Sequence, residues 1–170
     1  MPCCCDSNYD EYINYLSKIS TVCDEIDSPN VLIVGDFNAC PNNNFGILLS
    51  QFCLEHELKI SDKINLPANF FTYVNDTHGT CSWLDHVVSS KSAHDPIQNT
   101  EILHQFILSD HRPVAADNTK WRAGRAGGPC CQIKNMDFPH AGELHIDRRA
   151  DRLAAVQDGP VGCTLRRAAQ

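Results

Sequence analysis

The clearest hydrophobic pattern in the chain is the run from Val31 to Val34, which ends at Gly35 and is followed by polar residues. A short, continuous apolar run that stops at a glycine predicts a strand buried on both faces. Residues 9–26 precede it and place apolar side chains at helical spacing, which predicts an amphipathic helix. A helix followed by a buried strand indicates a layered α/β domain.

Helical and extended patterns continue to alternate after this strand. Residues 46–57 predict a second helix, and residues 58–68 show no regular pattern. Further strands are predicted over 69–74, 80–89, 101–108 and 113–116. Turn residues lie at Asn75-Asp76-Thr77-His78-Gly79 and at Ser109-Asp110-His111-Arg112. Polar residues in loops on a rigid sheet are common positions for function, so these loops are candidate sites.

The end of the first strand carries an acid and an amide, Asp36 and Asn38. In extended backbone these two side chains point the same way, from the rim of a sheet. A carboxylate beside an amide suits a divalent cation or a phosphate oxygen. Two structural roles are alternatives: Asp36 caps the following turn, and Asn38 occupies a left-handed turn position.

Three motifs in order extend this chemistry along the chain. They are Gly35-Asp36-Phe37-Asn38-Ala39, Ser82-Trp83-Leu84-Asp85-His86-Val87 and Leu108-Ser109-Asp110-His111-Arg112-Pro113-Val114. Together with Phe71-Thr72-Tyr73 they resemble the C-terminal half of the endonuclease/exonuclease/phosphatase family, the DNase I-like nucleases. The closest likeness is to the endonuclease domain of LINE-type non-LTR retrotransposons, over about residues 1–118.

The resemblance implies a role for each matching residue. Asp36 would position or deprotonate the attacking water, and Asn38 would hold a phosphate oxygen or lie near the metal. Asp85 would accept a hydrogen bond from His111, and His111 would stabilise the transition state on the scissile phosphate. Asp110 resembles a metal ligand, so the implied metal set is Asp110, Asp36 and Asn38, with Mg²⁺ or Mn²⁺ as the ion. His86 is expected to be a satisfied core or surface histidine.

The resemblance also implies that the family's first half is missing. The chain opens at Met1-Pro2, and Pro2 matches the proline of the family's Y-x-P stretch. The glutamate that anchors Mg²⁺ would lie before it, so we expect weak metal binding. The expected fold is α/β, half of a two-sheet sandwich truncated at its N-terminus. Such a half would expose an apolar sheet face and self-associate through it.

Charge and composition divide the chain near residue 118. Residues 1–116 carry a net charge of −10 and a single arginine, whereas residues 117–170 carry +3 and seven arginines. We therefore predict two regions: the domain over 1–118, and an unrelated, disordered tail over 119–170. A basic arm that binds nucleic acid is the alternative for the tail. The acidic body is unfavourable for contact with DNA phosphates.

The N-terminus has neither the basic nor the apolar region of a signal peptide, and no apolar run approaches a membrane span. We therefore expect an intracellular protein, nuclear or cytoplasmic, without a membrane partner. Its ten cysteines contain no C-x-x-C pair, so neither a disulfide framework nor a structural zinc site is predicted.

The sequence thus predicts a fragment of a Mg²⁺-dependent phosphodiesterase whose intact parent nicks DNA and accompanies a reverse transcriptase. Activity of the fragment is expected to be weak or absent. One alternative is a catalytically dead interaction module or a pseudogene-like product. Another is a phosphatase or phosphodiesterase that acts on a lipid or inositol phosphate.

Overall fold

A computed structural model describes residues 8–26, 28–105 and 109–118, together with three short strands in the C-terminal region. The helices are α1 (Tyr9–Glu25), α2 (Asn44–Glu55), α3 (Ser61–Asn65) and α4 (Lys91–His94). The strands are β1 (Val31–Asp36), β2 (Leu58–Ile60), β3 (Tyr73–Asn75), β4 (Thr80–Ser82), β5 (Asp85–Ser90), β6 (Ile97–Ile102), β7 (Val114–Asn118), β8 (Cys131–Lys134), β9 (His145–Asp147) and β10 (Leu153–Ala154).

The strand predicted from the apolar run, β1, lies in the middle of a five-stranded sheet with the order β2-β5-β1-β8-β9. It pairs antiparallel with β5 on one side and parallel with β8 on the other. A second sheet has the order β10-β7-β6, and β3 and β4 form a separate hairpin. The mixture of helices and antiparallel sheets confirms the predicted α/β class.

The two faces of β1 are buried against different layers. Val31 and Ile33 pack with residues of α1 and α2, whereas Leu32 and Val34 pack with Val87 and with Ile102 and Val114 of the second sheet. The helices, the central sheet and the second sheet therefore form successive layers. This double burial explains why β1 is apolar at every position rather than at alternate ones.

The sequence led us to expect an exposed apolar sheet face, and β1 does not supply one. Leu32 and Ile33, which point to opposite faces, are both fully buried. Self-association through a sheet face stays a prediction.

Several predicted boundaries were wrong. Residues 58–68, expected to be irregular, contain β2 and α3, and β6 begins at Ile97 rather than at residue 101. The second helix begins at Asn44 and ends at Glu55, two residues earlier than predicted at each end. Residues 83 and 84 interrupt the predicted strand 80–89, which divides it into β4 and β5.

In the region beyond residue 118 the structure describes β8, β9 and β10, which pair with strands of both larger sheets. The remainder of the predicted tail lies outside the described residues, so its foreign origin and its disorder stay predictions. Within the described part of the chain, no helix has both the length and the apolar character needed to cross a membrane.

Candidate active site

Two carboxylates meet where the central pair of strands ends. The antiparallel register of β1 and β5 places Asp36, the last residue of β1, directly opposite Asp85, the first residue of β5. Directly paired residues on antiparallel strands project to the same face. The first two sequence motifs, separated by almost fifty residues, are therefore joined by strand pairing alone.

The third motif lies beside Asp36 and Asp85, in a turn that is hydrogen-bonded to β3. His111 forms a bridge with Tyr73, and the amide of Val74 donates a hydrogen bond to the carbonyl of Asp110 at 2.8 Å. Within the turn, the hydroxyl of Ser109 accepts a hydrogen bond from the amide of His111 at 3.1 Å. The guanidinium of Arg112 donates to the carbonyl of Ser109. These contacts fix the backbone on both sides of His111.

The imidazole of His111 lies between the two carboxylates. Its Nδ1 is 2.8 Å from Oδ2 of Asp85, a hydrogen bond, and its Nε2 is 3.9 Å from Oδ2 of Asp36. The side chains of His111, Asp85 and Asp36 are 12–15% exposed, so the cluster is largely shielded but still open to solvent. The ring of Tyr73 covers one side of the imidazole, with its centroid 5.0 Å away.

This environment favours the charged form of His111. Burial lowers the pKa of the imidazole, but the hydrogen bond to Asp85 and the charges of Asp85, Asp36 and Asp110 outweigh it and raise the pKa to about 9. His111 is therefore an imidazolium at neutral pH, held by Asp85 and facing Asp36. The cation also relieves the repulsion between two neighbouring carboxylates.

Asp36 and Asn38 form a tight turn after β1. The backbone amide of Asn38 donates to Oδ1 of Asp36 at 2.8 Å, and Asn38 has a φ of 50° in the left-handed region. Both structural roles weighed from the sequence are thus present, and they coexist with the position of Asp36 beside His111. Because Oδ1 is used in the turn, Oδ2 is the oxygen that Asp36 directs toward His111.

Asp110 lies in the same turn as His111, and its side chain is exposed. The hydroxyl of Ser109 lies 3.3 Å from its Oδ1 and donates to it. Among the described residues, no group of three or more His, Cys, Asp or Glu side chains is arranged to hold a metal ion. The metal set of Asp110, Asp36 and Asn38 stays a prediction.

Thr72 organises the site, although no role was predicted for it. Its hydroxyl oxygen accepts hydrogen bonds from the amides of Leu84 and Asp85, at 2.9 and 3.0 Å, and the residue is fully buried. These bonds fix the start of β5 and with it the position of Asp85. The polar residue between Phe71 and Tyr73 was the available signal, because a polar side chain that is buried beside aromatic residues requires a hydrogen-bond partner.

His86 is a satisfied core histidine, one of the two roles predicted for it. It is 2% exposed, and both ring nitrogens have partners: Oδ2 of Asp62 at 2.7 Å and the carbonyl of Ala39 at 2.8 Å. Its partner Asp62 was missed because it lies in the segment predicted to be irregular. Trp83, beside it, is 4% exposed and belongs to the core.

An acid–histidine–acid cluster at the edge of an α/β sheet is an arrangement suited to hydrolysis of a charged ester. The family comparison gives the same class of protein. A family model described as endonuclease-reverse transcriptase matches residues 3–115, more than half of the chain. The chain belongs to this endonuclease family, whose function is of nuclease type. No curated protein matches the chain.

Proposed function

We propose that this chain is a Mg²⁺-dependent phosphodiesterase of retrotransposon type that nicks DNA weakly. The observation that carries the proposal is the position of His111, whose Nδ1 is hydrogen-bonded to Asp85 and whose Nε2 lies 3.9 Å from Asp36. The same three residues lie within the segment matched by the endonuclease family.

Hydrolysis of a phosphodiester forms a bond between a water oxygen and phosphorus and breaks the bond to a sugar oxygen, which leaves with the bonding electron pair and takes a proton from solvent. The charge that builds on the phosphate oxygens requires a donor, and the imidazolium of His111 supplies one. The water must lose a proton, and the carboxylate of Asp36, whose Oδ2 lies 3.9 Å from Nε2 of His111, can accept it. Asp85 keeps the ring oriented and charged through its hydrogen bond to Nδ1.

Mg²⁺ is commonly bound through one or two carboxylates, with waters and substrate phosphates completing the shell. The ligands we propose are the partly exposed carboxylate of Asp36 and the exposed carboxylate of Asp110, with Asn38 in the turn that follows Asp36. When bound, the ion would neutralise charge on the phosphate. Because few protein ligands are present, we expect weak binding of Mg²⁺ or Mn²⁺ in the absence of nucleic acid.

The charge of the domain limits how it would bind DNA. Residues 1–116 have a net charge of −10, so the general attraction that basic proteins have for phosphates is absent. We therefore expect low affinity with a shallow dependence on salt, because few phosphates can meet a cation and salt also screens the repulsion between DNA and the acidic domain.

The test is nicking of supercoiled plasmid by the purified full chain with Mg²⁺, repeated with EDTA and with His111→Ala. His56→Ala is the matched control, because His56 is an exposed histidine in the turn after α2. Nicking by the wild type and by His56→Ala, lost with EDTA and in His111→Ala, would support the proposal. Nicking that survives both treatments belongs to a contaminant, and a folded but inactive chain would favour a non-catalytic interaction module.

A further inference from the structure

A second acid–histidine pair lies behind the candidate active site, on the opposite face of β5. His86 follows Asp85 in the strand, so its side chain points away from the cluster that contains His111. Its partner Asp62 belongs to α3 and is fully buried. Asp62 also accepts a hydrogen bond from the amide of Val87 at 2.8 Å, through its other oxygen. The pair is therefore held by two elements of the core.

The hydrogen-bond directions at His86 are fixed by its partners. The carbonyl of Ala39 can only accept, so Nε2 of His86 carries a hydrogen and donates to it across 2.8 Å. Burial lowers the pKa of His86, but the charge and hydrogen bond of Asp62, the bond to Ala39 and the charge of Asp85 outweigh burial and raise it. Because one ring nitrogen bonds Asp62 and the other bonds Ala39, the ring cannot rotate without losing a bond.

Ala39 ends the turn that carries Asp36 and Asn38. The amide of Phe37 donates to the carbonyl of Leu84 at 3.0 Å, and the amide of Asn38 donates to Asp36. The bond from His86 to Ala39 holds the turn on the far side of Asn38, whose left-handed backbone is uncommon for a residue other than glycine. Phe37 and Ala39 are each 1% exposed, so the turn has no room to move without disturbing the core.

On the basis of the proposed function, we infer that Asp62 and His86 are positioning residues that hold the Asp36–Ala39 turn in its catalytic geometry. His86 acts through the carbonyl of Ala39, and Asp62 acts through His86. Neither touches the reacting atoms. Their effect is on the placement of the Asp36 carboxylate relative to His111.

Two substitutions at residue 86 separate this role from a general role in the core. In His86→Gln the amide nitrogen reaches the position of Nε2 and can still donate to Ala39. In His86→Asn the shorter side chain reaches the position of Nδ1, toward Asp62, but not Ala39. His86→Gln leaves the carboxylate of Asp62 without its ring partner, and His86→Asn leaves the carbonyl of Ala39 without its donor, so both should lower the thermal stability.

We expect His86→Asn to lower kcat by about 10- to 100-fold, because a displacement on the order of 1 Å in a catalytic group has effects of that size. Its KM should change little, since substrate contacts are intact. His86→Gln should retain kcat within about threefold of the wild type, because the bond that sets the geometry of the turn is kept. Ile19→Ala is the control for stability, as Ile19 is a core residue on α1 without a bond to the turn.

Amide hydrogen exchange across residues 37–39 provides a readout that does not depend on activity. Exchange should become faster in His86→Asn and remain near the wild-type rate in His86→Gln and Ile19→Ala. If His86→Asn does not fold, Asp62→Asn is measured in its place and should also accelerate exchange in the turn. Equal kcat and equal exchange in the Asn and Gln variants would overturn the inference. An inactive wild type would refute the proposed function alone, and exchange in the turn would then decide the positioning role.

Discussion

The two acid–histidine pairs of this domain, Asp62–His86 and Asp85–His111, have almost the same geometry and different surroundings. The nitrogen-to-oxygen distances are 2.7 and 2.8 Å, and the pKa of each histidine is raised. The side chains of the first pair are 1% or less exposed, whereas those of the second are 13–15% exposed. Hydrogen bonding to a carboxylate therefore does not distinguish a structural histidine from a candidate catalytic one.

The second ring nitrogen makes the distinction. In His86 it donates to the carbonyl of Ala39, so every donor of the ring is used by the protein. In His111 it lies 3.9 Å from Asp36, beyond hydrogen-bonding distance, and the side chain is open to solvent. A substrate oxygen can take that position in His111 and has no access to His86. The candidate active site is identified by a ring nitrogen of the histidine that can donate to a substrate, and not by the acid–histidine pair itself.

The largest effect is expected from Asp36→Asn, which tests whether the open nitrogen of His111 faces a reacting group. The amide keeps an oxygen to accept from the amide of Asn38 but cannot take a proton from water. The nicking rate should fall about 10³-fold, within the range typical for loss of a general base. Asp24→Asn, at an exposed acid on α1, is the matched control and should nick at the wild-type rate.

Thermal unfolding of Asp36→Asn should remain close to that of the wild type, since the turn is preserved. A variant that folds normally and nicks as fast as the wild type would show that Asp36 and His111 are not the reacting pair.

The next largest effect is expected on the free energy of unfolding. Asp62→Ala and Asp85→Ala each remove the acid of one acid–histidine pair. Removal of Asp62 leaves a buried imidazole and the amide of Val87 without their acceptor, so we expect a loss of about 3–5 kcal/mol in the free energy of unfolding. Removal of Asp85 leaves His111 partly solvated, and the expected loss is about 1–2 kcal/mol. Urea unfolding measures both, and equal losses would contradict the difference in burial.

The central strand β1 could be predicted from the sequence, because burial alone determines its pattern of apolar residues. A strand covered on both faces must be apolar at each position, and the run Val31 to Val34 can be read directly. The helices were found from their periodicity, but two of their apolar residues, Ile13 and Ile47, are 40% and 52% exposed. A broad apolar stripe marks a helix without fixing which of its edges is buried.

The candidate site was predictable only in part. The sequence identified Asp36, Asp85 and His111 through motifs, but their meeting depends on the register of β1 with β5 and on the bridge from His111 to Tyr73. The Asp62–His86 pair was not predictable, because a lone aspartate in a polar segment carries no signal that its carboxylate is buried. Such a pair is defined by tertiary contacts between α3 and β5.

The pH dependence of the free energy of unfolding also tests the two acid–histidine pairs. The pKa of His111 is about 9 in the folded chain and 6.5 for the free side chain, so its pairing stabilises the fold fully below pH 6.5. That contribution, at most about 3 kcal/mol, is lost as pH rises through 9. His86 contributes with the same sign, because its pKa is also raised.

The two contributions can be separated by comparing wild type with His111→Ala between pH 6 and pH 10. His86 is present in both proteins, so the difference in the free energy of unfolding isolates His111. The wild type should be the more stable protein at low pH, and its advantage should shrink as the pH rises through 9. An advantage that is constant across this range would show that His111 is not held as an imidazolium.

The smallest effect is expected at an ion pair on the surface, Lys59–Asp95, which provides a reference for both histidine pairs. Its nitrogen-to-oxygen distance is 3.6 Å, and its side chains are 34% and 56% exposed. Water screens charges in such positions, and ordering a long lysine side chain opposes the attraction, so a coupling energy of about 0.5 kcal/mol or less is expected. A double-mutant cycle with Lys59→Met and Asp95→Asn measures that coupling by urea unfolding. If this coupling energy equalled the loss in Asp62→Ala, burial would not explain the difference between the acid–histidine pairs and the surface ion pair. A coupling energy near zero would leave solvent exposure as the property that decides which pair stabilises the fold.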